Sequence, residues 1–323
     1  MKKLWFSLLC VLLAVMMVAC GKGQKPDDGD GSGSGNGGDP SSDEAALTEQ
    51  YGAKVSNEEA EELLAEIEAW FSDEEAIKAL SWDKFTYHTT TTIGENAVTS
   101  STYYSKDDGY YREVNEGHNI KEYLYDTETE QYTDTLFSNI LSSYSVHYYY
   151  LDISDCMISA SSCQSVKEIY YPENDRQTEN SATYSVVEQA QAQERFDENT
   201  NHVQLFSGTL QQYANQILMS VKPMLEMGDF GYQMDGVDIQ IRSTGEGHLY
   251  IAYKMDLYGM KTDMAMVIEN GYVTYFRSSV PNTDPGWNTG LVQEGDIVTM
   301  EMRLEPNKCE LVYPDLSGFE RVG

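Results

Sequence analysis

Ser81-Trp82-Asp83-Lys84 places a hydroxyl three residues before an amine, the spacing of a serine–lysine acylation pair. The companion motifs of that chemistry, S-D-N and K-T-G, are absent. The stretch also reads as a helix-to-strand turn, so the match is expected to be incidental. The five histidines, His88, His118, His147, His202 and His248, never fall at metal-ligand spacing such as H-x-H or H-E-x-x-H. Asp28, Asp30, Ser32, Gly33, Ser34, Asn36 and Asp39 follow the oxygen-ligand spacing of a calcium loop, with Gly33 at the turn position. That loop would end on Glu rather than Asp and would be flanked by helices, so the text is better read as low complexity. No G-x-S-x-G elbow, P-loop or dinucleotide fingerprint occurs, and acids are too numerous for any carboxylate pair to be informative. The expectation is a protein without a catalytic residue, a metal site or a cofactor.

One cysteine does carry chemistry. Lys2 and Lys3 are followed by an apolar run from Leu4 to Val18, 15 residues and short of the ~20 that span a bilayer. A charged start, a short apolar core and small residues at the break mark a cleaved export signal over 1–19. The break itself, Met17-Val18-Ala19-Cys20, resembles the lipobox of bacterial lipoproteins, with Met17 where Leu is usual. The resemblance implies that Cys20 is diacylated and becomes the first residue of the mature chain. The alternative is an ordinary secretory signal with an incidental cysteine. Two acyl chains suffice for stable anchoring, which places the protein in a bacterial cell envelope, facing away from the cytoplasm. Residues 20–55 then form a tether. Gly, Ser, Asp and Pro bury too little apolar surface to offset ordering entropy, and ~35 such residues reach roughly 30–35 Å.

Charge restricts the partners. The chain has 53 acids against 21 bases, a formal net charge of −32, which repels nucleic acid and anionic headgroups. Residues 56–323 are long enough to bury one large core. An exported chain is permitted disulfides. Cys156 and Cys163 are close enough in sequence to close a small loop, worth ~2.5 kcal/mol if bridged; they are otherwise free. Cys309 alternates with Leu311 and Tyr313 and is expected to be a buried thiol.

The elements that would carry any site can be read from periodicity. Ser56-Asn57-Glu58-Glu59 is a capping box. After it, Ala60, Leu63, Leu64, Ile67, Trp70 and Phe71 recur at helical spacing, and Ser72 to Glu75 restarts a short helix. Lys84 to Thr135 is rich in Thr, Tyr and Val and is broken at Gly94-Glu95-Asn96, Asp107-Asp108-Gly109 and Glu116-Gly117, so short strands with hairpin turns are expected. Val146 to Leu151 and Thr183 to Glu188 read as strands, Pro172 to Asn180 as a loop and Gln189 to Phe196 as a helix. Leu210, Tyr213, Ala214, Ile217, Leu218 and Val221 share one face of a second amphipathic helix, which Pro223 should kink or restart. Four segments then alternate with period two: Val237–Ile241, Leu249–Met255, Thr262–Ile268 and Val298–Leu304. They predict an antiparallel meander with one buried face.

Two residue types hint at function. The chain has 24 tyrosines, including Tyr148-Tyr149-Tyr150. They fit half-exposed strands, or a platform for sugars. Of its 14 methionines, ten lie between Met219 and Met302. Met264, Met266, Met300 and Met302 share one strand face by alternation. They serve either as core filling or as a face that repacks around variable apolar shapes.

An exported lipoprotein with amphipathic helices set against a long antiparallel meander resembles the LolA-like group (LolA/LolB and LppX/LprG types). The entry Trp82-Asp83-Lys84-Phe85 and the closing Tyr313-Pro314-Asp315-Leu316 add to the likeness. The resemblance is one of pattern over roughly residues 56–320. It implies an α+β fold, a curved antiparallel half-barrel meander packed on amphipathic helices. It also implies non-catalytic binding or carriage of a lipid, lipopeptide or other amphiphile. Acyl chains are then expected between Met264, Met266, Met300 and Met302 and the stripe of Leu210, Ile217 and Val221. The alternative is a surface module with a closed core that binds a protein or glycan.

Overall fold

A computed structural model describes residues 40–71, 82–172, 174–204, part of 210–225, 236–244, 248–257, 260–270, 272–282 and 291–322. The acylation site, the calcium-like spacing, the helix restart at 72–80 and Tyr213 lie outside the described residues.

Most of the described residues form one curved, open sheet of 12 strands. The first six, β1 (Lys84–Ile93), β2 (Asn96–Ser105), β3 (Tyr110–Asp126), β4 (Gln131–Leu151), β5 (Met157–Ile169) and β6 (Asp175–Val187), form one antiparallel meander. The next five, β7 (Val237–Ser243), β8 (His248–Leu257), β9 (Met260–Glu269), β10 (Tyr272–Pro281) and β11 (Ile297–Pro306), form a second. The last strand of the second pairs antiparallel with the first strand of the first, from Phe85↔Pro306 to Ile93↔Val298. Two sequential meanders thereby become one continuous sheet. A two-residue strand, β12 (Glu320–Arg321), adds to β6 in parallel.

The sequence predicts breaks at Gly94-Glu95 and at 107–109, and turns are found there. It also predicts a break at Glu116-Gly117, where β3 instead runs straight through. A Cβ on Gly117 would lie 2.5 Å from the Ser143 hydroxyl and 2.6 Å from Ile120 Cδ1. This glycine is a notch for close approach inside a strand rather than a turn. Likewise 175–180, read as loop, belongs to β6; its side chains are exposed, so alternation carries no apolar signal there.

Helix α1 (Pro40–Tyr51) overturns the expected extent of the tether. It stops at Gly52, whose φ of +83° and N–H to the Thr48 carbonyl (3.0 Å) make a glycine C-cap. Tyr51 stacks on Tyr250 of β8 at 4.6 Å. Arg242 of β7, fully buried, donates to Thr48 Oγ1 (3.1 Å) and to the Gly52 carbonyl (3.2 Å). The Val55 N–H reaches the Ile241 carbonyl at 2.9 Å. Residues 40–55 are therefore docked on the second meander. Their composition is low in apolar residues, but polar contacts to one buried arginine hold them.

Helix α2 (Asn57–Phe71) begins as predicted, Ser56 Oγ accepting the Glu59 N–H at 3.3 Å. Helix α3 (Gln189–Thr200) and the described residues within 210–225 are also helical. Ala60 and Leu64 of α2, Ala192 and Phe196 of α3, and Leu210, Ala214, Ile217 and Val221 are buried in one cluster with strand residues that include Phe85, Ile251, Met266 and Phe276. A second cluster lies on the opposite face of the first meander, built on Tyr110, Val146, Tyr148, Tyr150 and Ile158. The chain after β11 runs back across it as a strap. Tyr110 donates its hydroxyl to the Val312 carbonyl (2.7 Å) and accepts the Val312 N–H (3.0 Å), while Tyr313 packs edge-on against Tyr110 and Tyr150.

Candidate functional site

The four methionines singled out by alternation do share a face. In register, Met266 and Met302 flank Phe276 of β10, and Met264 and Met300 flank Ser278. The helical stripe of Leu210, Ile217 and Val221 joins them in the same cluster, with Met264 partly buried at its margin. Met266, Leu210, Ile217 and Val221 are each 0% exposed. A side chain with no accessible surface borders no space large enough for water, so it borders none large enough for a methylene chain. Among the described residues no such space borders Met266, Leu210, Ile217 or Val221, and these four pack as core.

A cavity of about 580 Å³ lies elsewhere, where β7, β9 and β11 begin and β8 and β10 end. Of its apolar lining, Pro281 and Ile297 share a sheet face with its charged groups, while Val237 and Met255 alternate to the core face and pack on the helix-covered cluster. Charged groups share the lining because the register sets them side by side. Lys254 stands opposite Asp238 on one flank and Asp263 on the other, and Asp256 stands opposite Lys261. Lys261 approaches Asp256 at 3.8 Å, Arg277 approaches Asp263 at 3.7 Å, and Gln240 donates to Asp238 at 2.9 Å. The Tyr253 hydroxyl donates to the Met255 sulfur at 3.1 Å on the core face. The result is a largely polar hollow, with carboxylates and ammonium groups beside Pro281 and an exposed Ile297. Sequence reasoning passed over it, since alternating Lys and Asp at strand ends is also what a solvated rim looks like. Two of the lining residues, Ser279 and Pro281, come from β10, a strand the periodicity did not reveal.

The thiols differ from one of the two readings left open. Cys156 precedes β5 and Cys163 sits within it, and both are free. Seven residues along a strand separate them by ~23 Å, against the ~7 Å limit for a bridge. The bridge is excluded by geometry. Cys309 is free and half-buried against the strap cluster, and burial pushes its thiol up to about 11. Lys84 of the serine–lysine spacing begins β1 and reaches Asp108 at 3.5 Å on the surface; Ser81 lies outside the described residues.

One polar cluster on the core face belongs to the packing of α3. The Tyr111 hydroxyl donates to Glu113 (3.0 Å), leaving His202 Nε2, at 3.1 Å, to donate to the phenol oxygen. Asn115 donates to the other Glu113 oxygen at 3.1 Å. Burial, followed by the Glu113 carboxylate, pushes the Tyr111 phenol far up, so it stays a donor. This fastens the 3₁₀ turn after α3 to β3. Compared with protein-family models, with curated proteins and with solved structures, the chain matches none.

Proposed function

We propose that this is a bacterial envelope lipoprotein, anchored through acylated Cys20, whose LolA-like half-barrel on amphipathic helices binds a lipid, lipopeptide or other amphiphile without catalysis. The observation that carries the reading is the strand-end cavity. Its volume falls within the range of small-molecule sites, roughly 300–1,000 Å³, and such sites join an apolar lining to a few placed polar groups. An alkyl chain lying on Pro281 and Ile297 gains ~0.8 kcal/mol per buried methylene. A head group then meets Lys254 and Lys261 beside three aspartates. Ligand binding moves from the methionine face to this end of the second meander.

The full burial of Met266 and the helix stripe favours the second reading, a closed-core module that docks a protein or glycan on its surface. One pair of variants separates the two. A soluble form beginning at Gly21 is titrated with a fluorescent fatty acid, alongside Ile297→Asp and Met266→Trp. On the amphiphile reading the wild type binds, Ile297→Asp removes apolar lining and weakens binding at little cost in stability because the side chain is exposed, and Met266→Trp overpacks the core by ~1–3 kcal/mol. A wild type that takes up no fatty acid, lysolipid or lipopeptide rejects the amphiphile reading in favour of the surface module.

A further inference from the structure

The strand-end cavity divides into an apolar side and a charged side. Pro281 and Ile297, a register pair on β10 and β11, carry the first. Asp238 of β7, Lys254 and Asp256 of β8, and Lys261 and Asp263 of β9 carry the second. Strands lie ~4.8 Å apart, so the steps from β8 to β11 set Ile297 ~14 Å from Lys254 across the sheet. Register alternates the signs: Lys254 stands opposite Asp238 and Asp263, and Lys261 opposite Asp256. These charges do not simply cancel in pairs. Asp238 accepts from Gln240 at 2.9 Å, and Gln240 in turn accepts from the buried Arg242 at 3.4 Å. Asp263 leans toward Arg277 at 3.7 Å. Among the described residues Lys254 pairs with neither neighbour, since both carboxylates are held from elsewhere.

We propose that the head group taken by this cavity is a zwitterion, a phosphate joined to a primary ammonium; the inference rests on the amphiphile reading, which supplies the acyl chain. A phosphate alone would meet Lys254 and Lys261 but also three carboxylates. An ammonium alone would meet the carboxylates but also two lysines. A head group with both charges sets its phosphate against Lys254 and its ammonium against Asp238 and Asp256, diagonal neighbours on β7 and β8. The chain from Arg242 through Gln240 holds the Asp238 carboxylate in place for it. Overall neutrality fits a protein of formal net charge −32, whose field repels an anion but gives a zwitterion no net repulsion. The ammonium is primary because N–H donors make charge-assisted hydrogen bonds to carboxylates. Quaternary ammonium is recognised by aromatic rings, and the described lining contains none. The acyl chain then runs across the sheet toward Pro281 and Ile297.

The test titrates the full chain, held in neutral detergent, by native mass spectrometry. The probes share one acyl chain and differ in head group: lysophosphatidylethanolamine, lysophosphatidylcholine, lysophosphatidylglycerol, monoacylglycerol and an alkylammonium. Glycerophosphoethanolamine supplies the head group without the chain. Lysophosphatidylethanolamine should bind most tightly, on the order of tenfold ahead of the rest, the scale of one hydrogen bond to a charged group. Lys254→Gln should remove that advantage and leave monoacylglycerol binding unchanged. Lys254→Glu should pass the preference to the alkylammonium, and Asp238→Asn should narrow the gap between the ethanolamine and choline forms. Circular dichroism of each variant reports the fold. Equal binding of monoacylglycerol and lysophosphatidylethanolamine would overturn the zwitterion and leave the amphiphile reading standing. So would a wild-type preference for the anionic, cationic or choline lipid. Glycerophosphoethanolamine binding as tightly as its acylated form would keep the zwitterion site and overturn the amphiphile reading. Binding of none of the probes would overturn both.

Discussion

Replacing Gly52 by alanine tests the docking of residues 40–55 most directly. Two costs arise there. A non-glycine residue at φ +83° pays ~1–2 kcal/mol for the left-handed conformation. The new Cβ would also lie 2.4 Å from the Ser243 carbonyl oxygen and 2.9 Å from its carbon, both backbone atoms that have little room to move. Reaching 3.0 Å from that oxygen requires a retreat of about 0.6 Å. That shift falls on the contacts from Arg242 to Thr48 and to the Gly52 carbonyl, which are charge-assisted and worth roughly 1.5–3 kcal/mol each. The expected loss is ~3–5 kcal/mol, confined to local opening of the segment. Gly295→Ala is the control. It has φ +89° with nothing within 4 Å of the added Cβ, so it should show the conformational cost alone. Hydrogen exchange read by mass spectrometry over 40–55 should be accelerated by about 30- to 150-fold more in Gly52→Ala than the control loses at 295, since ~1.4 kcal/mol is tenfold. Equal effects at the two glycines would refute the close approach and restore 40–55 to the tether.

Other outcomes follow from the sequence and the fold together. Cys20→Ala should abolish detergent-phase partitioning and leave the chain uncleaved or shed into the medium; unchanged partitioning would reject the anchor. Protein exported natively and denatured without reductant should present Cys156, Cys163 and Cys309 as three reactive thiols. In the folded state Cys309 should alkylate slowly until the pH approaches about 11. Tyr110 and Tyr275 are both pushed up to about 12, chiefly by burial, while the unfolded chain releases these protons near 10. Their contribution should be fully present below pH 10 and lost as pH rises toward 12, visible as a falling urea midpoint alongside phenolate absorbance. Met266→Ala should cost ~2–5 kcal/mol in the same assay, as expected for truncating a fully buried side chain.

The sequence is most legible where one strand face is buried and the other is wet. β7, β8, β9 and β11 were visible in outline because alternation there is strict. β10 was not, because register slips between Val273 and Tyr275 and leaves Val273 and Thr274 consecutively buried. A bulge erases period two. The long strands of the first meander were read short for another reason: beyond residue 116 both faces carry polar or half-exposed residues, so no apolar period marks how far they extend. The methionine face was placed correctly on one side of the sheet, yet alternation gives only the direction of a side chain. Whether the space before it is empty depends on the helix laid over it. The strand-end cavity arises from neighbours on separate strands, and cross-strand register is not written in any single segment.

The pairing of β1 with β11 also has a consequence in time. β1 finds one partner within its own hairpin, but its other edge waits for residues 297–306. At ~5–20 residues per second of synthesis, more than two hundred residues represent on the order of ten to forty seconds. During that delay, an unpaired strand edge faces whatever else is emerging. The waiting strand reads Lys84-Phe85-Thr86-Tyr87-His88 followed by four threonines and Ile93. Threonine, tyrosine and isoleucine all favour strands, so that edge stays competent to pair, and open to a stray strand, until its own arrives.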